Sequence, residues 1–241
     1  MIRLSVNVNK VATMRNARGG DRPSVRAAAE AAIAAGCHGI TVHPRPDERH
    51  IRRADVVELA EWLPVELNIE GYPGAEWLEL VETVRPAQAT LVPDPPGVLT
   101  SNAGWDLRGD RSELAAIVAR LRSLGCRVSL FIDPEPEQAL RACDLGADRV
   151  ELYTEPYARA FATPDRMAVF ARYRRTAEAA VEAGLGLNAG HDLDLENLPF
   201  LAEHLPGLLE VSIGHALLSD ALFLGLDRAV RAYLAALAPA P

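Results

Sequence analysis

The chain is short of several things, and each shortage narrows what it can be. Among 241 residues there are three cysteines, Cys37, Cys126 and Cys143. An odd number without metal-ligand spacing fits free thiols in a reducing cytoplasm and argues against a disulfide framework or a zinc site. No apolar run nears the length of a membrane span. The opening residues, Met-Ile-Arg-Leu-Ser-Val-Asn, lack the apolar core and small-residue cleavage site of a signal peptide. The expectation is a cytoplasmic protein with no membrane partner. Excess positive charge is also missing: the formal net charge is −8. With no basic tail or stripe, nucleic acid is excluded as the main partner, and any cations gathered around a small anionic substrate are a local feature. Lysine is nearly absent, Lys10 being the only one although Lys and Arg total 25.

What is present is a hydrophobic fraction of 49%, enough for a sizeable core, and one recurring punctuation. An alanine- or leucine-rich helical run ends in glycine, and a β-rich run follows within a few residues. It occurs at Gly36, Gly125, Gly146 and Gly184. Glycine just past a helix end turns the chain out with least strain, so each is an α-to-β joint. Strand-like runs at 4–7, 65–70, 88–92 and 209–213 join those at 38–42, 127–132, 148–152 and 185–188, making eight. Helical runs lie at about 23–35, 54–62, 74–84, 111–124, 136–145, 164–183 and 195–204, with a last one over 216–237. Strict β/α alternation implies parallel strands, and eight units in one chain of this length predict an α/β fold of the (β/α)8 TIM-barrel type, one domain over 1–241. A doubly wound open sheet would need a glycine-rich phosphate turn after the first strand, where Asn7-Val-Asn-Lys10 stands instead.

Within the strands one alternate set is apolar and faces the helices, as Ile40 and Val42 do. The other set is polar: Ser5/Asn7, Thr41/His43, Glu66/Asn68/Glu70, Thr90, Ser129, Glu151, Asn188 and Glu210/Ser212. Buried carboxylates and amides cost several kcal/mol unless paired, so this interior reads as a network serving chemistry. Ser5, Glu66, Ser129 and Glu210 are expected deep and mutually satisfied; Asn7, His43, Glu70 and Asn188 are expected at the C-terminal mouth, where barrel enzymes keep their sites. His43 opens a loop stiffened by Pro44 and Pro46 and carrying Arg45 and His50, a pre-shaped anion cradle. His191, after Asn188-Ala-Gly, adds a second imidazole, and Gly214-His215 supplies backbone N–H groups of the kind that bind phosphate. Asn9, Lys10 and Arg18 follow the first strand. A Pro/Gly loop at 93–104 reads as a lid offering Thr100, and the aromatics of 153–161 read as exposed, serving either an oligomer contact or a site wall. His38 and His204 read as structural. Two histidines and a carboxylate can move protons near neutrality, with no cofactor and no metal required.

The runs Val6-Asn-Val-Asn-Lys-Val-Ala-Thr-Met-Arg-Asn-Ala-Arg-Gly19, Gly39-Ile-Thr-Val-His-Pro-Arg-Pro-Asp-Glu-Arg-His50, Asn68-Ile-Glu70, Asn188-Ala-Gly-His191 and Ile213-Gly-His-Ala216, in order and over nearly the whole chain, resemble the pyridoxine 5′-phosphate synthase family of the deoxyxylulose-dependent vitamin B6 pathway. The resemblance implies a (β/α)8 barrel with additional helices, assembled as a homo-octamer, a tetramer of dimers. It also implies condensation of 3-amino-2-oxopropyl phosphate with 1-deoxy-D-xylulose 5-phosphate, releasing phosphate and water. His43 and Glu70 would be general acid/base groups and His191 a proton donor. Asn7, Arg18, Gly214 and His215 would hold the aminoketone phosphate; Arg45, His50 and Thr100 would hold the sugar phosphate. Glu151 joins the expected substrate contacts. Two positions depart from the family's familiar pattern. Asn9-Lys10 stands where many members have Asp-His against the sugar phosphate, and Asp192 stands where a small residue is usual. Lys10 is expected to hold that phosphate as a cation, with a transient imine as its other possible role.

Overall fold

A computed structural model of the chain describes residues 1–94 and 103–238. The elements run β1 (Arg3–Asn7), α1 (Asn9–Asn16), α2 (Val25–Ala34), β2 (Gly39–Val42), α3 (Arg53–Trp62), β3 (Glu66–Gly71), α4 (Ala75–Val84) and β4 (Gln88–Leu91). Then come α5 (Ser112–Ser123), β5 (Arg127–Ile132), α6 (Pro136–Asp144), β6 (Arg149–Tyr153), α7 (Glu155–Ala160) and α8 (Arg166–Glu182). The chain continues through β7 (Gly186–Gly190), α9 (Leu198–His204), β8 (Leu208–Ile213), α10 (His215–Leu224) and α11 (Leu226–Ala236). The strands pair in chain order into a closed barrel, β8 returning to β1, with every pairing parallel. This is the expected (β/α)8 fold. The four glycines at the α-to-β joints all have positive φ, between 79° and 106°, the left-handed helix exit that a side chain resists.

Strand alternation sorts the residues as pleat geometry requires. Leu4, Val6, Ile40, Val42, Leu130, Ile132, Val150 and Leu152 are buried against the helices. The inward polar set stacks in levels. At the N-terminal end three arginines neutralise the carboxylates: Arg127 meets Glu66 at 2.5 Å, Arg3 meets Glu66 at 3.0 Å, and Arg149 lies 3.7 Å from Glu210. Gln88 knits them together, accepting from Arg127 at 2.8 Å. Above, Ser5 bonds Thr41 at 2.6 Å and Thr90 donates to Asn68 at 3.0 Å. Ser129 is the exception to the expected satisfaction, its buried hydroxyl having no hydrogen-bond partner among the described residues.

Other expectations need correction. The single last helix is two, because Gly225 at φ 80° breaks it between α10 and α11. Two short helices were not anticipated: α1, a polar octapeptide with no side-chain cap, and α7, six residues long. The aromatics after β6 are not exposed: Tyr153 and Tyr157 are buried, the Tyr157 hydroxyl donating to the Asn197 carbonyl at 2.7 Å. Asn188 is not at the mouth but in the lower level, accepting from Arg149 at 2.9 Å. The register explains this, since Asn188 lies beside Glu210 and Glu151, one pleat below Gly190. His38 and His204 are structural, the first accepting the Leu4 N–H through Nδ1, the second stacked on Phe200.

Candidate active site

At the C-terminal ends of the strands lies a cavity of about 570 Å³. Of the residues singled out in the sequence, it is lined by Asn7, Asn9, Lys10, His43, Arg45, His50, Glu70, Glu151, His191, Asp192, Gly214 and His215. Arg18 is not among them; it is exposed on the segment after α1. Thr100 and most of the expected lid lie outside the described residues. Tyr153, Glu155 and Ser212 also line the cavity; Ser212 was signalled by its place in the inward alternate set and Tyr153 by the aromatic segment, while Glu155 carried no signal. Of the aromatic segment, Tyr153 lines the cavity, whereas Tyr157 and Phe161 do not.

Glu70 is the centre of the cavity. It is the penultimate residue of β3, and the indole of Trp77 on α4 donates to its carbonyl at 3.0 Å. Gly71 is required there: a Cβ would fall 2.1 Å from the Trp77 indole nitrogen. The Glu70 carboxylate accepts from Ser212 at 3.2 Å and from Asn7 at 3.4 Å. Burial pushes its pKa up to about 7, only partly opposed by the Ser212 hydrogen bond and the Arg45 charge. Next to it, His43 Nδ1 lies 3.8 Å from Glu70 Oε2, beyond hydrogen-bond length. Burial first, then Arg45, His50 and His191, depress His43 well below the usual imidazole range. The pair is therefore a neutral imidazole beside a carboxyl poised near neutrality. Glu151, on β6, is held well toward its protonated form by burial and by the Glu70 and Glu210 charges.

Side chains from β1 and α1 fix this pair. Asn9 accepts the His43 backbone N–H at 2.9 Å, and Asn7 accepts the Asn9 N–H at 3.0 Å. The amide belt runs from Asn9 through Asn7 to Glu70. Asn9 thus braces the Glu70–His43 pair while its neighbour Lys10 lines the cavity.

The cationic side is built by the loop after β2. Arg45 is buried and contacts Asp94 at 3.4 Å. His50 Nδ1 accepts the Ile51 N–H at 2.9 Å, which leaves Nε2 as the protonated nitrogen of the neutral ring. Burial, with Arg45, Arg49 and Lys10, lowers the His50 pKa to about 4, so at neutrality it offers an N–H rather than a charge. Its backbone is held by α1: Asn16 and Arg15 donate to the His50 carbonyl at 2.8 and 3.1 Å. Arg15 is itself buried in a two-pronged pair with Asp55. Opposite, α10 has Gly214 at its N-cap with no side-chain cap, and Gly214, His215 and Ala216 at this helix start line the cavity. An anion is favoured at such an end. Gly214 allows β8 to approach β1 closely, since a Cβ there would sit 3.0 Å from Asn7.

His191 follows β7 with φ 83° and Asp192 with φ 55°, both left-handed without being glycine. The imidazole packs against Phe131 and Tyr153, ring centres 5.2 and 5.5 Å away. Burial lowers its pKa, against the Asp192 and Asp94 charges. Two neutral imidazoles and a carboxyl near its midpoint, between a cationic loop and a helix N-terminus, suit proton transfers on an anionic substrate. Among the described residues no group of His, Cys, Asp and Glu is arranged to hold a metal ion. No described helix is long and apolar enough to cross a membrane.

Comparison with known proteins gives the family. Residues 4–239 match the model of the family described as pyridoxal phosphate biosynthesis protein PdxJ. The pyridoxine 5′-phosphate synthase of Bacteroides thetaiotaomicron is 54% identical over 233 residues, 97% of this chain and 98% of that one. That of Porphyromonas gingivalis is 53% identical with the same coverage. Among solved structures, a tryptophan synthase from M. tuberculosis superposes with a TM-score of 0.65 at 13% identity, covering 99% of this chain and 93% of that one, a likeness of fold alone. On the family match and on identity above one half over nearly its full length, the chain belongs to the PdxJ family, the pyridoxine 5′-phosphate synthases of vitamin B6 biosynthesis.

Proposed function

We propose that the chain condenses 3-amino-2-oxopropyl phosphate with 1-deoxy-D-xylulose 5-phosphate to pyridoxine 5′-phosphate, phosphate and water, with Glu70, His43 and His191 moving the protons. The observation that carries this reading is the Glu70 carboxyl, pushed up to about 7 beside a neutral His43 in a cavity of about 570 Å³. Imine formation, enolisation, loss of phosphate and ring closure all move protons between carbon, nitrogen and oxygen. A carboxyl near its midpoint can take a proton in one step and return it in another. His191, neutral and across the cavity, donates to a leaving or carbonyl oxygen. Arg45, the His50 N–H and Lys10 hold the sugar phosphate, while Asn7 and the α10 N-terminus hold the aminoketone phosphate. Arg18, exposed after α1, is left out of that assignment. The proton-transfer chemistry needs no cofactor.

The test mixes purified protein with both substrates and follows pyridoxine 5′-phosphate and inorganic phosphate together. Equal formation of the two supports the reading. A different product would make this another barrel enzyme of phosphorylated sugars; tight binding of pyridoxine 5′-phosphate with no phosphate release would make it a carrier.

A further inference from the structure

His191 stands in a backbone conformation that side chains avoid, and something must hold it there. Among the described residues, the side chain that hydrogen-bonds the two carbonyls flanking its φ and ψ is that of Thr154, the residue between β6 and α7. Its hydroxyl reaches the Gly190 carbonyl at 2.6 Å and the His191 carbonyl at 2.5 Å, one proton shared between two acceptors. Its backbone N–H donates to Gly190 as well, at 3.0 Å. Thr154 is fully buried. It also forgoes its ordinary employment: at the N-cap of α7 a threonine oxygen would accept a backbone N–H of the first turn, and here it caps nothing. The far side of the same loop is pinned separately, Asn197 donating to the Asp192 carbonyl at 3.1 Å. Turning His191 out of its left-handed conformation would swing its carbonyl away from Thr154, and the imidazole would leave its place between Phe131 and Tyr153.

We propose that Thr154 is a positioning residue that fixes the His191 backbone and thereby aims the imidazole into the cavity, an inference that rests on His191 being the proton donor as proposed above. The test compares Thr154→Val, Thr154→Ser, His191→Gln and the double variant Thr154→Val/His191→Gln, reading kcat and the KM for each substrate. Thr154→Val, which keeps the shape and loses the hydroxyl, is expected to lower kcat about 10- to 100-fold with little change in either KM, the scale of a small misplacement at a reacting group. Thr154→Ser should restore most of the turnover. The double variant should be no slower than His191→Gln alone, because the two losses pass through one group. Wild-type kcat in Thr154→Val, a serine variant as slow as the valine one, or losses that multiply in the double variant would each overturn the proposal. Should Thr154→Val fail to fold, Thr154→Ala is judged by the same criteria. Full turnover in His191→Gln would instead remove the proton donor itself, an outcome that variant reports without reference to Thr154.

Discussion

At the scale of single residues, the mouth is governed by burial more than by pairing. Glu70 and His43 sit close enough for a charged pair, yet each is driven toward its neutral form because water is excluded from both. Replacing Glu70 by Gln, His43 by Ala or His191 by Ala should leave a folded protein whose turnover is lower by about two to four orders of magnitude. Near-normal turnover in any one of them would take that residue out of the chemistry. The same burial has a price in stability that can be measured. Between the ordinary carboxyl value of 4.5 and about 7, the native protein keeps a proton on Glu70 that the unfolded chain has released. Stability from this group is therefore complete below that window and declines as pH rises through it. Glu70→Gln should flatten the decline, gaining on the order of 3 kcal/mol on wild type between pH 4 and pH 8 in denaturant titrations. Glu151 and Glu210, also shifted upward, add to the decline, while His43, His50 and His191, shifted downward, oppose it below the ordinary imidazole value of 6.5. The comparison is therefore of the variant with wild type at each pH. An unchanged slope in the variant would show that Glu70 ionises freely.

At the scale of elements, the first βα segment supports the second. Arg15 and Asn16 of α1 grip the loop that carries His50, and Arg15 is anchored on Asp55 of α3. Arg15→Ala should cost roughly 3–5 kcal/mol, because it strands a buried carboxylate. The double change Arg15→Met/Asp55→Leu should recover much of that loss in thermal unfolding, while the KM for the sugar phosphate stays raised because the loop has lost its brace. Recovery of both together would separate the brace from binding. Little of this was legible in the sequence. The strands were, because helix-ending glycines and two-residue alternation are local signals, and the His43-to-His50 loop was, because titratable groups followed an apolar strand. Helix α1 was not: Asn-Lys-Val-Ala-Thr-Met-Arg-Asn has no marked apolar face, and its place is set by contacts with a loop some 35 residues on. Asn188 was misplaced because its level depends on the stagger between strands, which alternation within one strand does not contain. Arg3, Arg127 and Arg149 went unnoticed as partners of the deep carboxylates for the same reason.

At the scale of the whole molecule, the end of α10 leaves Leu222, Phe223 and Leu224 68%, 90% and 44% exposed, while Leu217 on the same helix is wholly buried in the core. Three adjacent apolar side chains at such exposure predict association of copies of this chain. The expected result is a homo-oligomer by light scattering at micromolar concentration, with Leu222→Ser/Phe223→Ser shifting it toward smaller species; a wild-type monomer would refute it. A last consequence comes from Lys10. Being the only lysine and lying on the cavity, it makes the chain its own occupancy reporter. An amine-selective acylating reagent can mark only this side chain and the α-amino group, and a lysine-specific protease can cut the denatured chain only after residue 10. Each molecule acylated on Lys10 loses that one cut, so the surviving full-length fraction measures Lys10 labelling directly. Saturating 1-deoxy-D-xylulose 5-phosphate should slow the labelling of Lys10 and leave that of the α-amino group unchanged. Equal rates with and without the sugar phosphate would show that the only lysine does not attend the substrate.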